Sequence, residues 1–364
     1  MDLTIIIPTF NREKYLKRSL DYWSDKAVSV IVADGSNLPF FKNDLEAPKN
    51  ITYFHMKEGF IDRLNFVKQK IKTKYCVLLG DDEFFIPSAL FSAIGELDKG
   101  DCIACTGQSI SFWAGKQPNW FSENQEILSH VIYPERLSLS ISDNCPNNRL
   151  LNHMKNYSPI GIYSVMRTST WAKIITLISE REFNAYGSFE IQFEMAISYF
   201  GKIKILDELI WFRSAESKTI QGTDKSLDAS KTFKEFWLNK INFQERDAFV
   251  NIVCNGFLTK NTNSDDLYKL IEKAIDLYLN FMESKKTHLL IRMRNRFFYS
   301  MPAFFRALVK RIFLIKGRGR PINQVIDELK LSGVRVDSEE VLRIKNFLSQ
   351  FHFVEDTERK KSNQ

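Results

Sequence analysis

The stretch YCVLLGDDEFFIP, residues 75–87, passes from an apolar run directly into three adjacent acids, Asp81, Asp82 and Glu83. Neighbouring carboxylates repel one another, and taking them out of water is costly unless a partner compensates the charge. A cation is the most direct partner, and oxygen ligands at the end of a strand suit Mg²⁺ or Mn²⁺. A solvated acidic turn before a helix that begins near Pro87 is the alternative, and this stretch alone leaves it open.

The segments before this stretch alternate between strand and helix patterns. Apolar runs predict strands and amphipathic spacing predicts helices, with strands at residues 3–8, 28–36 and 50–55 and helices at 12–23 and 59–71. Such alternation predicts an α/β domain built on a parallel sheet. Ligands bind outside the carboxyl ends of the strands in these sheets, where residues 8–11, 34–36 and 81–83 lie. We therefore expect three polar clusters to meet at one edge.

The predicted secondary structure changes twice in the later part of the chain. Residues 113–157 are rich in Asn, Ser and Pro and have little periodicity, which predicts long loops. The pattern predicts a strand and a helix within residues 160–178, a helix at 188–201 and strands at 202–213. After about residue 225 the pattern is helical. We expect a first domain at residues 1–223 and a helical region at 224–364.

Composition indicates which broad class of protein the sequence belongs to. The chain has 364 residues, 44% of them hydrophobic, without an apolar run long enough to span a membrane and without the pattern of a signal peptide at its start. We therefore expect a cytoplasmic protein. The five cysteines are odd in number and scattered, which favours reduced thiols, and the Cys102–Cys105 pair lacks the second pair that a zinc site needs.

The net charge of +7 is concentrated in one segment. Residues 285–320 contain eleven Lys or Arg and no Asp or Glu. Within them, AFFRALVKRIFLIK (303–316) places apolar residues on one helical face and Arg306, Lys310 and Arg311 outside it. This pattern predicts a peripheral helix on an anionic membrane surface, at the inner face of the cell membrane. A core helix with solvated cations is the alternative.

Four stretches in order carry a family resemblance: TIIIPTFNREKYLKRSL, VIVADGS, GFIDRLNFVKQKIKTKYCVLLGDDEFFIP and FEIQFEMAISYFGKIKILDE. Their order and spacing resemble the family 2 glycosyltransferases over about the first 215 residues. The resemblance implies a GT-A fold, a mixed sheet flanked by helices, followed here by a mostly helical C-terminal region. It also implies a nucleotide-sugar donor with UDP-sugars as the default, a divalent metal, inversion at the anomeric carbon, and a glycan or lipid-linked acceptor in bacterial surface-polysaccharide synthesis.

The resemblance implies a role for individual residues. Asp82 and Glu83 are expected to hold the metal ion, and Glu83 would bind it either directly or through a water molecule. Glu190 is expected to be the general base, with Glu194 as the second candidate. The residues expected to contact the donor are Pro8, Thr9, Asn11, Asp34, Arg63, Asp81 and Arg213. Structural alternatives stay open: Asp34 forms turns readily, Arg63 suits a solvated helix face, and Glu190 suits the first turn of a helix.

Other classes fit the sequence less well. A nucleotidyltransferase would carry a glycine-rich basic loop after the first strand, and PTFNREKYL contains no glycine. Nucleic-acid binding would explain the basic segment but not the convergent acids, which would repel phosphates. A non-catalytic scaffold that binds a nucleotide sugar stays open, and a homo-oligomer is compatible with this sequence.

Overall fold

The computed structural model describes residues 2–42, 47–114, 127–137, 139, 141–183, 185, 187–216, 232–260, 262–286 and 320–351, and the structural statements below concern this part of the chain. The predicted basic helix at 303–316 lies outside the described residues. So does the predicted domain boundary near Thr223, and the division into 1–223 and 224–364 stays a prediction.

The described strands join into one mixed sheet. They are β1 Leu3–Thr9, β2 Ser29–Asp34, β3 Ile51–His55, β4 Tyr75–Leu78, β5 Phe84–Phe85, β6 Ala104–Trp113, β7 Leu128–Ile132, β8 Val165–Arg167, β9 Ile203–Ser214 and β10 Arg320–Pro321. Their order is β10-β7-β6-β8-β4-β1-β2-β3, and β9 lies off this path, pairing with β5 and β6. The half formed by β4, β1, β2 and β3 is parallel, and β8 joins it to β6 through antiparallel pairing.

Helices flank the sheet and make up most of the described C-terminal residues. They are α1 Glu13–Trp23, α2 Phe60–Lys68, α3 Pro87–Asp98, α4 Pro146–Lys155, α5 Thr168–Ile178, α6 Ser188–Phe200, α7 Phe233–Leu238, α8 Phe243–Phe257, α9 Ser264–Lys286, α10 Ile322–Leu331 and α11 Ser338–Gln350. A helix that follows the acids at Pro87 and a helix at 188–200 were both predicted, and the structure confirms them. The predicted mixed α/β architecture with a helical C-terminal region is also confirmed.

Alternation along the central strands divides the core between the two faces of the sheet. On β1, Ile6 belongs to one cluster of buried residues, whereas Ile5 and Ile7 belong to the other. This is the consequence of successive strand residues pointing to opposite faces. Helices α2 and α4 to α9 cover the first face, and α1, α3, α10 and α11 cover the second. The C-terminal helices therefore contribute to the same two cores as the N-terminal sheet.

The prediction of long loops over residues 113–157 is wrong for two segments, residues 128–132 and 146–155, which form a strand and a helix. Strand β7 pairs antiparallel with β6, and α4 packs into the first core through Leu150 and Met154. Proline at the first position of α4 fits a helix start, but Asn147, Asn148 and Asn152 hide the helical pattern because Asn is a poor helix former. Packing against the core determines this helix.

Among the described residues, none of the helices combines the length and the apolar character that crossing a membrane requires.

Candidate functional site

Parallel pairing of β1 with its neighbours brings the three predicted polar clusters to one edge. Thr9, at the end of β1, is in register with Asp34 at the end of β2, and the Gly35 amide donates to the Thr9 carbonyl at 3.0 Å. From the other side, the Thr9 hydroxyl donates to Asp81 Oδ2 at 2.6 Å. Pro8 lies within β1, opposite Ala33. The ends of β1, β2 and β4 thus form one continuous polar cluster, which is largely buried.

Arg12 supplies the positive charge that the acids require. Its Nη1 lies 2.9 Å from Asp81 Oδ1 and its Nη2 lies 2.6 Å from Asp82 Oδ2, so one guanidinium bridges the two carboxylates. Asp81 is completely buried and Asp82 is nearly so. Burial raises the pKa of Asp81 above its ordinary range, although the charge of Arg12 opposes that rise. The pair is therefore compensated within the protein.

Beneath this pair, Arg18 links Asp82 to the end of β9. The buried Arg18 guanidinium donates through Nη2 to the Asp82 carbonyl at 3.1 Å and lies 2.7 Å from Glu216 Oε2. Glu216 also accepts a hydrogen bond from the Ala114 amide at 3.1 Å. The backbone position of Asp82 is thus fixed by helix α1, which begins directly after Arg12.

Glu83 faces a different set of groups from Asp82. Its Oε2 accepts a hydrogen bond from Trp211 Nε1 at 3.0 Å, and its Oε1 lies 3.9 Å from Arg213 Nε. Burial, followed by the charge of Asp82, raises the pKa of Glu83 to about 8. The structure therefore brings Asp81 and Asp82 together on Arg12 and directs Glu83 towards β9.

The acid pair meets one requirement of a metal site. Among the described residues, no group of three or more His, Cys, Asp or Glu side chains is arranged to hold a metal ion. Asp81 and Asp82 nevertheless converge on a single cation, the Arg12 guanidinium. Two carboxylates suffice for Mg²⁺ when waters and substrate phosphates complete its coordination. The residues present fit such an ion once Arg12 has moved.

Asp34 and Arg63 are held in position by neighbouring groups of the sheet. Asp34 is buried, and it accepts hydrogen bonds from Tyr53 OH at 2.6 Å and from the Ser36 amide at 2.8 Å. Arg63 is also buried and donates through Nη1 to the carbonyls of Thr9 at 2.6 Å and Ala33 at 3.0 Å. Arg63 is thus not a solvated helix residue; it supports the ends of β1 and β2.

Asn11 has the positive φ of 53° that lets the chain turn sharply after β1. The Asn11 amide donates to Ser36 Oγ at 2.7 Å, and its side-chain carbonyl accepts from the Asn37 amide at 3.0 Å. Asn tolerates this left-handed conformation better than most residues. The turn at Asn11 and the turn after Asp34 therefore form one unit beside the acid pair.

Glu190 lies in the first turn of α6 and is bound by a tyrosine. Tyr157 OH donates a short hydrogen bond to Glu190 Oε1. Burial raises the pKa of Glu190 above its ordinary value, and the hydrogen bond from Tyr157 opposes that rise. Arg213 lowers it as well, and Arg213 responds to the charges of both Glu83 and Glu190. Arg213 thus connects Glu190 electrostatically with the acid triplet.

Glu194, one turn further along α6, is fully buried, and both of its carboxylate oxygens accept hydrogen bonds. It accepts hydrogen bonds from His153 Nε2 at 2.8 Å, from the Gly161 amide at 3.0 Å and from the Ile162 amide at 2.9 Å. None of its surface is exposed. These contacts hold the turn between Tyr157 and Tyr163 in place, so the second candidate base has the position of a structural residue.

Aromatic rings surround Arg213 and complete the site. Arg213 donates through Nη1 to Tyr133 OH at 2.7 Å, and the rings of Tyr133 and Tyr163 both stack on Trp211, with centroids 6.3 and 4.4 Å away. This arrangement lies between Glu83 and Glu190.

Several of these residues could not be singled out from the sequence. Arg12, Tyr53, Tyr133 and Tyr157 become part of the site only through contacts over long chain separations. The one local signal is Arg18, a charged residue between Leu16 and Leu20 that is buried on the apolar face of α1. A cation on such a face indicates a buried acid.

Comparison with known proteins identifies the first part of the chain. Residues 4–157 match the family model of Glycosyl transferase family 2. Over this segment, which is less than half of the chain, the sequence is similar to glycosyl transferase family 2. None of the curated proteins matches the chain.

Solved structures of S. aureus TarS are similar over most of the chain. TarS 1-349 is 14% identical, with 79% of this chain and 91% of that chain covered and a TM-score of 0.40. TarS 1-349 in complex with UDP-GlcNAc is 13% identical, with 79% and 92% covered and a TM-score of 0.40. At these values the likeness carries no argument about the substrate of this chain.

Proposed function

We propose that this chain transfers a sugar from a nucleotide-diphosphate donor to a hydroxyl group of a glycan or lipid-linked acceptor, with inversion at the anomeric carbon. The observation that carries the proposal is the position of Arg213. It lies beside the acid triplet through Glu83, which follows β4 in the segment similar to glycosyl transferase family 2, and it interacts electrostatically with Glu190. A UDP-sugar is the first donor to test.

In the proposed reaction, Glu190 accepts the proton of the acceptor hydroxyl as its oxygen bonds to the anomeric carbon. The bond from that carbon to the diphosphate oxygen breaks, and its electron pair leaves with the diphosphate. Asp34 and Thr9 border the nucleotide side of the site, and Arg213 offers its positive charge to the departing diphosphate. An ion held by Asp82 and Asp81 would add charge neutralisation of that leaving group.

Burial of Glu190 favours this role for a physical reason. A carboxylate whose pKa is raised by burial is a stronger base than one in water, provided it is ionised at the working pH. The Tyr157 hydroxyl stabilises the ionised form and orients one carboxylate oxygen, which leaves the other oxygen to accept a proton. Glu194 cannot replace it, since all its surface is buried.

The test combines a donor screen with a single substitution. A panel of nucleotide sugars with Mn²⁺ is screened by thermal shift, because binding to the native state raises its stability. With a donor that binds, Glu190→Gln is expected to retain donor affinity while transfer falls by about 10² to 10⁴. The matched control is Glu180→Gln, an exposed glutamate two residues after α5.

Two results would contradict the proposal. A chain that binds none of the nucleotide sugars and releases no nucleotide is not a nucleotide-sugar glycosyltransferase. A Glu190→Gln variant that transfers sugar at the wild-type rate removes the base from this position while leaving the donor assignment intact.

A further inference from the structure

The bridge between Arg12 and the acid pair is the feature from which we draw a further inference, which rests on the proposed function. The Arg12 side chain is 8% exposed, and the Asp81 and Asp82 side chains are 0% and 8% exposed. Charges this close and this well shielded from water interact far more strongly than a surface pair. The guanidinium also lies over the Tyr15 ring, 4.8 Å from its centroid. Arg12 is thus held at the acid pair from two sides.

A divalent ion that binds through Asp81 Oδ1 and Asp82 Oδ2 competes with Arg12 for these oxygens. Both oxygens face the guanidinium, and Asp81 Oδ2 is already occupied by the Thr9 hydroxyl. An ion bound through this pair of oxygens must therefore displace the guanidinium. We propose that Arg12 occupies the cation position of the acid pair in the free protein, so that a divalent ion binds only in competition with it.

Displacement takes the two carboxylates away from the Arg12 guanidinium. A phosphate group can replace them, because it accepts two parallel hydrogen bonds from arginine. A nucleotide diphosphate at this edge supplies such an acceptor, whereas water has little access to a side chain that is 8% exposed. Metal and nucleotide therefore bind with positive coupling: each lowers the cost of releasing Arg12 for the other.

The test is the affinity of the folded protein for Mn²⁺ alone, measured by calorimetry and by the paramagnetic signal of the free ion. Arg12→Gln removes the competing charge and is expected to bind Mn²⁺ at least about tenfold more tightly than wild type, within the usual range of coupling between sites. Lys17→Gln is the matched control, because it removes the same charge from an exposed position of α1, where Lys17 pairs only with Asp21 among the described residues. Its Mn²⁺ affinity should equal that of wild type.

A second measurement uses UDP as the probe of coupling. UDP should increase the Mn²⁺ affinity of wild type several-fold, and this increase should be largely lost in Arg12→Gln. Because unpaired acids can destabilise the fold, Arg12→Lys serves as a second variant: it keeps the charge, but one ammonium cannot bridge both carboxylates as the guanidinium fork does. Its Mn²⁺ affinity should lie between those of wild type and Arg12→Gln.

The outcomes separate this inference from the function it rests on. If wild type binds Mn²⁺ and UDP but Arg12→Gln gains no Mn²⁺ affinity, the competition is overturned and the proposed function stands. If Lys17→Gln gains as much as Arg12→Gln, the effect is one of net charge and the inference also fails. If no variant binds Mn²⁺ with or without UDP, the metal site itself is overturned, and the competition with it.

Discussion

At the scale of single residues, the hydrogen bond between Tyr157 and Glu190 determines how the proposed base responds to pH. Tyr157 donates to Glu190 and thereby lowers the Glu190 pKa, against the larger effect of burial, which raises it. The base is active only when ionised, so the acid limb of the pH profile reports its pKa.

Replacement of Tyr157 by Phe should shift that acid limb. The variant removes the hydrogen bond that favours the carboxylate, so the Glu190 pKa rises further and the base stays protonated to a higher pH. We expect the acid limb of kcat/KM to move upward in pH, with the rate at high pH less affected. An acid limb that stays in place or moves downward would show that Tyr157 does not act on the base.

Among the residues of the candidate site, the sequence predicts the position of some and not of others. Asp34, Asp81, Asp82 and Glu83 end predicted strands, so their common edge follows from the topology of a parallel sheet. Arg12 could not be assigned to them, because its partners lie about seventy residues away in the chain and no local pattern encodes that contact. The orientation of Glu83 away from Asp82 depends equally on Trp211, which comes from β9.

At the scale of elements, helix α6 combines two functions in successive turns. Its first turn presents Glu190 to the site, whereas its second turn holds Glu194 against the backbone of residues 161 and 162. The next residue after 162 is Tyr163, whose ring stacks on Trp211. Glu194 thus holds the backbone next to the residues that surround Glu190.

Glu194→Gln should therefore lower the stability of the whole protein. Glutamine keeps the shape but turns an amide group towards backbone N–H donors, which leaves a buried donor unsatisfied at a cost of about 1–3 kcal/mol. Denaturant unfolding gives the difference, and Glu180→Gln, at an exposed position two residues after α5, should change the unfolding free energy by less than about 0.5 kcal/mol. Equal stability of the two variants would mean that the Glu194 contacts contribute nothing.

Prediction of elements succeeded where hydrophobic periodicity is strong. The strand at 202–213 and the helix at 188–201 stand out because apolar residues follow one another at close intervals. By contrast, β7 has only five residues, and its place in the sheet depends on pairing with β6 rather than on its own pattern. Such short elements are determined by tertiary contacts that a sequence pattern does not contain.

At the scale of the whole molecule, the C-terminal helix α11 supports the strand that follows the acids. The Phe347 ring lies 5.4 Å from that of Tyr22 and 6.0 Å from that of Phe84, the residue directly after Glu83. Ser88, at the start of α3, also donates to Asp337 at 2.8 Å, just before α11 begins. The last described helix is therefore part of the core behind the candidate site.

Ile344→Ala tests whether α11 unfolds with the rest of the protein. Ile344 is completely buried, so its truncation should cost about 2–5 kcal/mol and lower the midpoint of one common transition. Leu342→Ala, on the same helix at 54% exposure, should cost less than about 0.5 kcal/mol. An early, separate loss of helix signal in Ile344→Ala, with the sheet unaffected, would show that α11 folds independently.

The two-residue strand β10 has a consequence for how copies of this chain meet one another in solution. It covers part of β7 at one end of the sheet, where Arg320 and Pro321 pair with Ser129 and Leu128. A bare strand at such an edge invites pairing with the strand of another molecule, which is a route to aggregation. Proline has no amide hydrogen, so a short covering strand that contains it gives an incoming strand little to bind. Loss of the pairing between β10 and β7 should remove this protection, so β10 contributes to solubility as well as to the fold.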